Sequence, residues 1–113
     1  MSNEQITNEQ KAIDIAQWDG WILPTPLSTF YQNEDKYAES YELTKYYLYD
    51  LNYLVLVAVK AHQQMESIFT HDASLKQARI YTAILKLGTP PYQPLFDAVY
   101  NAIVYLENEV NNE

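Results

Sequence analysis

The stretch Tyr47-Leu-Tyr-Asp-Leu-Asn-Tyr-Leu-Val-Leu-Val-Ala-Val-Lys-Ala61 decides how the chain is read. Continued to Ile68, its residues Tyr47, Leu51, Leu54, Ala58, Ala61, Met65 and Ile68 recur at alternating steps of four and three, one apolar seam along an α-helix. Tyr46, Tyr49, Tyr53, Leu56 and Lys60 draw a second seam beside the first. Between Tyr53 and Ala61 only Lys60 is polar, so this part of the helix needs neighbours or a partner chain to cover it. The β-branched run Leu54-Val-Leu-Val-Ala-Val59 also suits a buried strand. Seven positions on one seam favour the helix.

Asn33 followed by Glu34 and Asp35 has the pattern of a cap with acids in the first turn, and no Gly or Pro occurs from Leu27 to Leu87. The spacing therefore predicts a long helix over 34–68. Such a rod would run roughly 50 Å, whereas a compact chain of this size has a radius of gyration of about 13 Å. Either the helix breaks, around Asp50 to Asn52 or before Glu42, or a second subunit covers it.

The rest of the chain supports a single domain over 1–113. Thr7 and Gln10 have capping-box spacing ahead of a helix at 8–18, which Gly20 ends. Pro24 and Pro26 make 21–33 an extended connector. Asp72 and Gly88 bracket a helix at 73–87, and Pro94 opens another at 94–109. The fold class expected is mainly α: a short N-terminal helix and a three-helix core with one long central helix. The alternative is α+β, with helices on a small sheet made from Trp21 to Leu23 and Leu54 to Val59.

Fifteen carboxylates against seven Lys and Arg give a formal charge of −8, which disfavours nucleic-acid backbone and anionic membranes and suits a basic partner. The apolar run Tyr53 to Val59 is too short to span a bilayer, and Met1-Ser-Asn-Glu-Gln5 lacks the apolar core of a signal peptide. The absence of cysteine removes disulfides, thiol nucleophiles and thiolate metal sites, and fits the cytoplasm. No cofactor is implied. His62 and Glu66 share a helix face but lack a third ligand, so no metal site is read. Asp50 is the best placed acid for catalysis, but a helix break or a hydrogen bond to a neighbouring Tyr hydroxyl explains it better. No serine has the glycines of a nucleophile elbow, and two glycines cannot build a phosphate cradle. The expectation is a protein that is not an enzyme.

Eleven tyrosines carry the remaining signal, since Tyr combines apolar area with a polar tip. Glu34, Asp35, Tyr37, Glu39, Tyr41 and Glu42 gather acids and aromatics at one end of the expected helix, a candidate partner-binding surface. Tyr46, Tyr49 and Tyr53 are the candidate oligomer or ligand seam. Lys76 and Arg79 on the next helix, with Lys86 beyond, are candidate phosphate contacts should a small nucleotide stack on those tyrosines.

Lys11-Ala-Ile-Asp-Ile-Ala, Gly20-Trp21, Asp50-Leu51-Asn52, Gln77 and Ala83-Ile-Leu-Lys-Leu-Gly88 occur in an order similar to that of small phage proteins of the "ABA sandwich" type. The likeness spans roughly residues 10 to 88; the final helix is extra. That family has no established activity, so the resemblance implies a phage or prophage origin and assigns no functional residue. The function expected is therefore a non-catalytic phage or mobile-element protein, acting in the host cytoplasm. It would bind and neutralise a bacterial host protein, such as a defence component, through the acidic tyrosine-rich surface. The two-seamed helix, too long and too apolar for one small domain to cover, also implies a homo-oligomer. The alternatives for function are an oligomer that sequesters a nucleotide second messenger, and an assembly protein without a ligand.

Overall fold

The computed structural model describes residues 6–111 and is mainly α, with five α-helices and one two-stranded sheet among them. Helix α1 is Asn8–Trp18, the strands are β1 (Phe30–Asn33) and β2 (Lys36–Glu39), and α2 is Ser40–Thr44. A π-helical turn, Lys45–Tyr49, leads to α3 (Leu51–Gln64), followed by a 3₁₀ turn at Met65–Ser67, α4 (His71–Leu85) and α5 (Gln93–Asn111). Helices α3, α4 and α5 pack against one another, while α1 lies against α2 and α5.

The seam of the central segment is the core. Tyr47, Leu54, Ala58, Ala61 and Met65 are buried, and Leu51 and Ile68 pack half-buried against them. Residues 54–59 lie inside α3, so the sheet is built elsewhere. An unbroken helix over 34–68 would reach roughly 50 Å, longer than the 40 Å maximum extent of the molecule. The rod is interrupted at Asp50, which takes extended backbone angles (φ −121°, ψ 111°). Its carboxylate accepts from the Asn52 N–H at 2.9 Å and so caps α3. The Leu48 carbonyl instead accepts from the Tyr92 N–H at 2.8 Å, which fixes the entry to α5.

Ahead of the break, the expected helix over 34–39 is a hairpin. Glu34 and Asp35 form its two-residue tip, with Glu34 in the left-handed region at φ 57°. The acids that resemble a first helical turn instead lie between two short strands rich in aromatics, which suit pleated backbone better. The helical start falls at Ser40, where Glu42 Oε1 accepts from the Glu39 N–H at 2.8 Å. The start of α4 is displaced the other way, by two residues. Thr70, not Asp72, is the cap, its hydroxyl accepting from the Ala73 N–H at 3.0 Å, and Asp72 sits in the first turn.

Helix α1 starts at its Thr7 cap, which accepts from the Gln10 N–H at 3.1 Å; the Gln10 side chain turns to Asp14 instead of completing a capping box. It ends at Gly20 (φ 109°), a conformation that a side chain there would strain. Leu54 is fully buried whereas Leu56 on the same helix is 71% exposed. Leu54→Ala should lower stability by about 2–5 kcal/mol. Leu56→Ala should change it by less than about 0.5 kcal/mol. Urea unfolding of the two variants checks the contrast, and equal losses would place the seam wrongly.

Candidate acidic and aromatic interface

The hairpin carries most of the residues of the candidate surface, and its register decides which way they point. Phe30 pairs with Glu39, Tyr31 with Ala38, Gln32 with Tyr37 and Asn33 with Lys36. Ile22 bridges to Gln32 from the connector, so a third extended segment lies along β1. Cross-strand partners share a face, and neighbours along a strand alternate. One face therefore holds Tyr31 and Ala38, continued by buried Trp21, and packs toward the core. The other holds Ile22, Phe30, Gln32, Tyr37 and Glu39, and faces water.

On that outer face Ile22 is 59% exposed, Phe30 40% and Tyr37 55%. The Phe30 and Tyr37 rings meet edge to face with centroids 5.7 Å apart, which holds the two anchors in a fixed relation. Glu39 borders them, Glu34 and Asp35 extend from the tip, and all three acids are exposed. The one cation of the hairpin, Lys36, belongs to the inner face, its ammonium 5.6 Å from the Tyr53 ring centroid. The outer face is thus apolar at its centre and anionic at its edge. Tyr41, on the first turn of α2, is also exposed, with Lys45 over its ring at 5.5 Å. Half-buried Glu42 is occupied by its capping bond.

What holds this sheet is a buried polar node. The Tyr47 hydroxyl accepts from Trp21 Nε1 at 3.0 Å and donates to Asp19 Oδ2 at 2.6 Å. Lys60 Nζ stands 3.4 Å from the other Asp19 oxygen and 4.9 Å from the Trp18 ring centroid. Burial, reinforced by the bond to Asp19, raises the Tyr47 phenol far above its ordinary value. Ser40 adds a second tie, its hydroxyl donating to Glu9 of α1 at 2.6 Å.

The other predicted seam is turned largely inward. Tyr46 and Tyr53 stack at 4.7 Å, and Tyr47 meets the Tyr53 ring edge-on at 5.9 Å, so these rings cover one another within the chain. Only Tyr49 of the three seam tyrosines is exposed, at 49%. Burial also raises the Tyr46 phenol. Lys76 and Arg79 line two separate grooves beside α5, and neither groove contains Tyr46, Tyr49 or Tyr53. The structure thus joins Tyr37 and Glu39 to Ile22 and Phe30, two anchors the sequence reading did not single out. Phe30-Tyr-Gln-Asn33 and Lys36-Tyr-Ala-Glu39 show no apolar–polar alternation, and their aromatic content was the one local signal of strands.

Among the described residues, no three His, Asp or Glu side chains come together as a metal cage, and no helix is long and apolar enough to cross a membrane. No family model matches this chain, and no curated protein or solved structure proves similar to it.

Tyr47→Phe leaves Trp21 Nε1 without its partner and frees Asp19, so it should cost about 1–3 kcal/mol. It should also change the alkaline limb. The native phenol titrates above the unfolded value near 10, so its contribution is full below that pH and declines as the pH rises past it. Urea unfolding from neutral to alkaline pH should show stability falling more steeply in the native chain than in Tyr47→Phe. Parallel curves would mean that Tyr47 ionises freely in the folded state.

Proposed function

We propose that the chain is a non-catalytic binding protein that occupies a basic, apolar-centred patch on another protein through the outer face of its hairpin. One observation carries this reading: Ile22, Phe30 and Tyr37 are exposed together inside a rim formed by Glu34, Asp35 and Glu39. Exposed aromatics in fixed geometry act as anchors, and rim charges steer the encounter and reject partners of like sign. The motif likeness to small phage proteins supports a bacterial host protein as the target, with masking of its basic surface as the means of neutralising it. The reading in which nucleotides are sequestered draws less support, because Tyr46 and Tyr53 stack on each other and stand in neither groove that Lys76 and Arg79 line.

Capture from a bacterial lysate on the immobilised native chain, compared with Tyr37→Ala, identifies the partner by its dependence on the anchor. With that partner purified, association should slow as salt shortens the Debye length below ~8–10 Å. Replacing Glu34, Asp35 and Glu39 by Lys should slow it by about tenfold or more. Glu42 is spared because its carboxylate accepts from the Glu39 N–H; Glu39→Lys removes the other half of that capping box, so the triple variant is compared only once its helical circular dichroism matches that of the native chain. Tyr37→Ala should act instead on dissociation, by about 2 kcal/mol or roughly 30-fold. An association rate indifferent to both salt and the triple substitution would remove this reading.

A further inference from the structure

Helices α4 and α5 enclose an open groove of about 460 Å³ that shares no residue with the hairpin face. Its floor is made of small side chains, among them Ala78 and Ala98, and Leu75 closes one end. From Leu75 to Lys86 it follows α4 for roughly 16 Å at 1.5 Å per residue. Two packed helices with a bare apolar groove between them leave the place of a third helix open, and small residues let its backbone come close.

The charges beside that groove are unlike those of the rest of the chain. Arg79 and Lys86 both line it, Arg79 within α4 and Lys86 just past its last residue, about 10.5 Å further along the helix axis. Among the described residues neither makes an ion pair. The acid on the opposite wall, Asp97, is already compensated, its Oδ1 lying 3.0 Å from Lys11 Nζ and accepting from Gln93 Nε2 at 2.9 Å. The groove therefore presents two uncommitted cations on a chain whose formal charge is −8.

We propose that this groove is a docking site for an amphipathic helix of a partner protein that carries acidic residues beside its apolar stripe. Two carboxylates seven positions apart on such a helix would stand opposite Arg79 and Lys86, while its apolar side chains fill the floor. This is helix-in-groove recognition, with charge setting the choice of partner. A two-fold pairing of this groove with its own copy fits less well. It would bring one copy's Arg79 and Lys86 to a face with the same two cations and an acid that is already paired. With the hairpin face anionic and the groove cationic, one chain holds two partners of opposite character.

The test uses fluorescein-labelled helical peptides of about 14 residues, enough to span the groove. All share one leucine stripe and carry Glu, Gln or Lys at the flanking positions. Anisotropy should show the Glu peptide binding about tenfold tighter than the Lys peptide, with Gln between them. Amide shifts should centre on Ala78, Thr82, Ala98 and Asn101. Arg79→Glu combined with Lys86→Glu should reverse the order of the peptides. Ala78→Trp, at an exposed position, should abolish all three interactions while helical circular dichroism is retained. Equal affinities, shifts centred elsewhere, or an order that survives the charge reversal would each overturn the proposal. So would a chain that sediments as a dimer until Ala78→Trp disperses it, because the groove would then belong to a second copy.

Discussion

One phenol hydroxyl holds the two halves of this molecule in register. Tyr47 lies wholly inside the core, yet its oxygen both accepts from Trp21 and donates to Asp19. A buried hydroxyl without partners is costly, and here the partners come from the end of α1 and from the connector that follows it. Satisfying Tyr47 thus fixes where the chain leaves Gly20 and in which sense it extends through Trp21. Because Ile22 must then point away from Trp21 and bridge to Gln32, the hairpin inherits its orientation from the same bond. The outward aim of Phe30 and Tyr37 follows from a side chain on the opposite side of the sheet.

The second constraint is the interruption at Asp50. A helix over the whole tyrosine-rich segment would project beyond a molecule with a radius of gyration of 14.3 Å. The π turn and the extended Asp50 end one rod and start another. Asp50 caps the new helix, and Leu48 receives the Tyr92 N–H that anchors α5. The break therefore binds the first half to the last helix. It also lets Tyr46, Tyr47 and Tyr53 close on one another across the junction instead of lining a straight exposed stripe.

Periodicity made the core legible. The steps of four and three place the buried side of α3 at Leu54, Ala58 and Ala61, with Leu51 half-buried beside them, because a 3.6-residue repeat holds along that helix. The cap at Thr7 and the stop at Gly20 were legible for local chemical reasons. The hairpin was not. Glu34 and Asp35 suit a helical first turn as well as a hairpin tip, and choosing between them requires knowing that Tyr31 and Ala38 face inward onto other elements. That information is tertiary. The same holds for the candidate surface: its acids and Tyr37 could be singled out from composition, but Ile22 joins them only through a bridge ten positions away. The groove beside α4 was legible only as three cations on one helix, since its floor depends on how α5 packs.

The opposite signs of the two surfaces follow from where the cations go. Of the seven, Lys11, Lys36, Lys45 and Lys60 each stand over an aromatic ring of the chain itself, those of Tyr100, Tyr53, Tyr41 and Trp18. Lys11 and Lys60 also meet Asp97 and Asp19. Such contacts contribute about 0.5–1 kcal/mol each at exposed sites, enough to bias a long side chain toward the ring. They draw positive charge onto the tyrosine-rich half and commit it there. Lys36 is drawn to the inner face of the hairpin, which leaves Glu34, Asp35 and Glu39 without a cation on the outer one. Of the three remaining cations, Lys76 and Arg79 are on α4 and Lys86 follows its last residue; the exposed side of that helix bears no tryptophan and only Tyr81 as an aromatic partner. An acidic chain thereby keeps one cationic edge, because its aromatic rings hold four of its six lysines elsewhere.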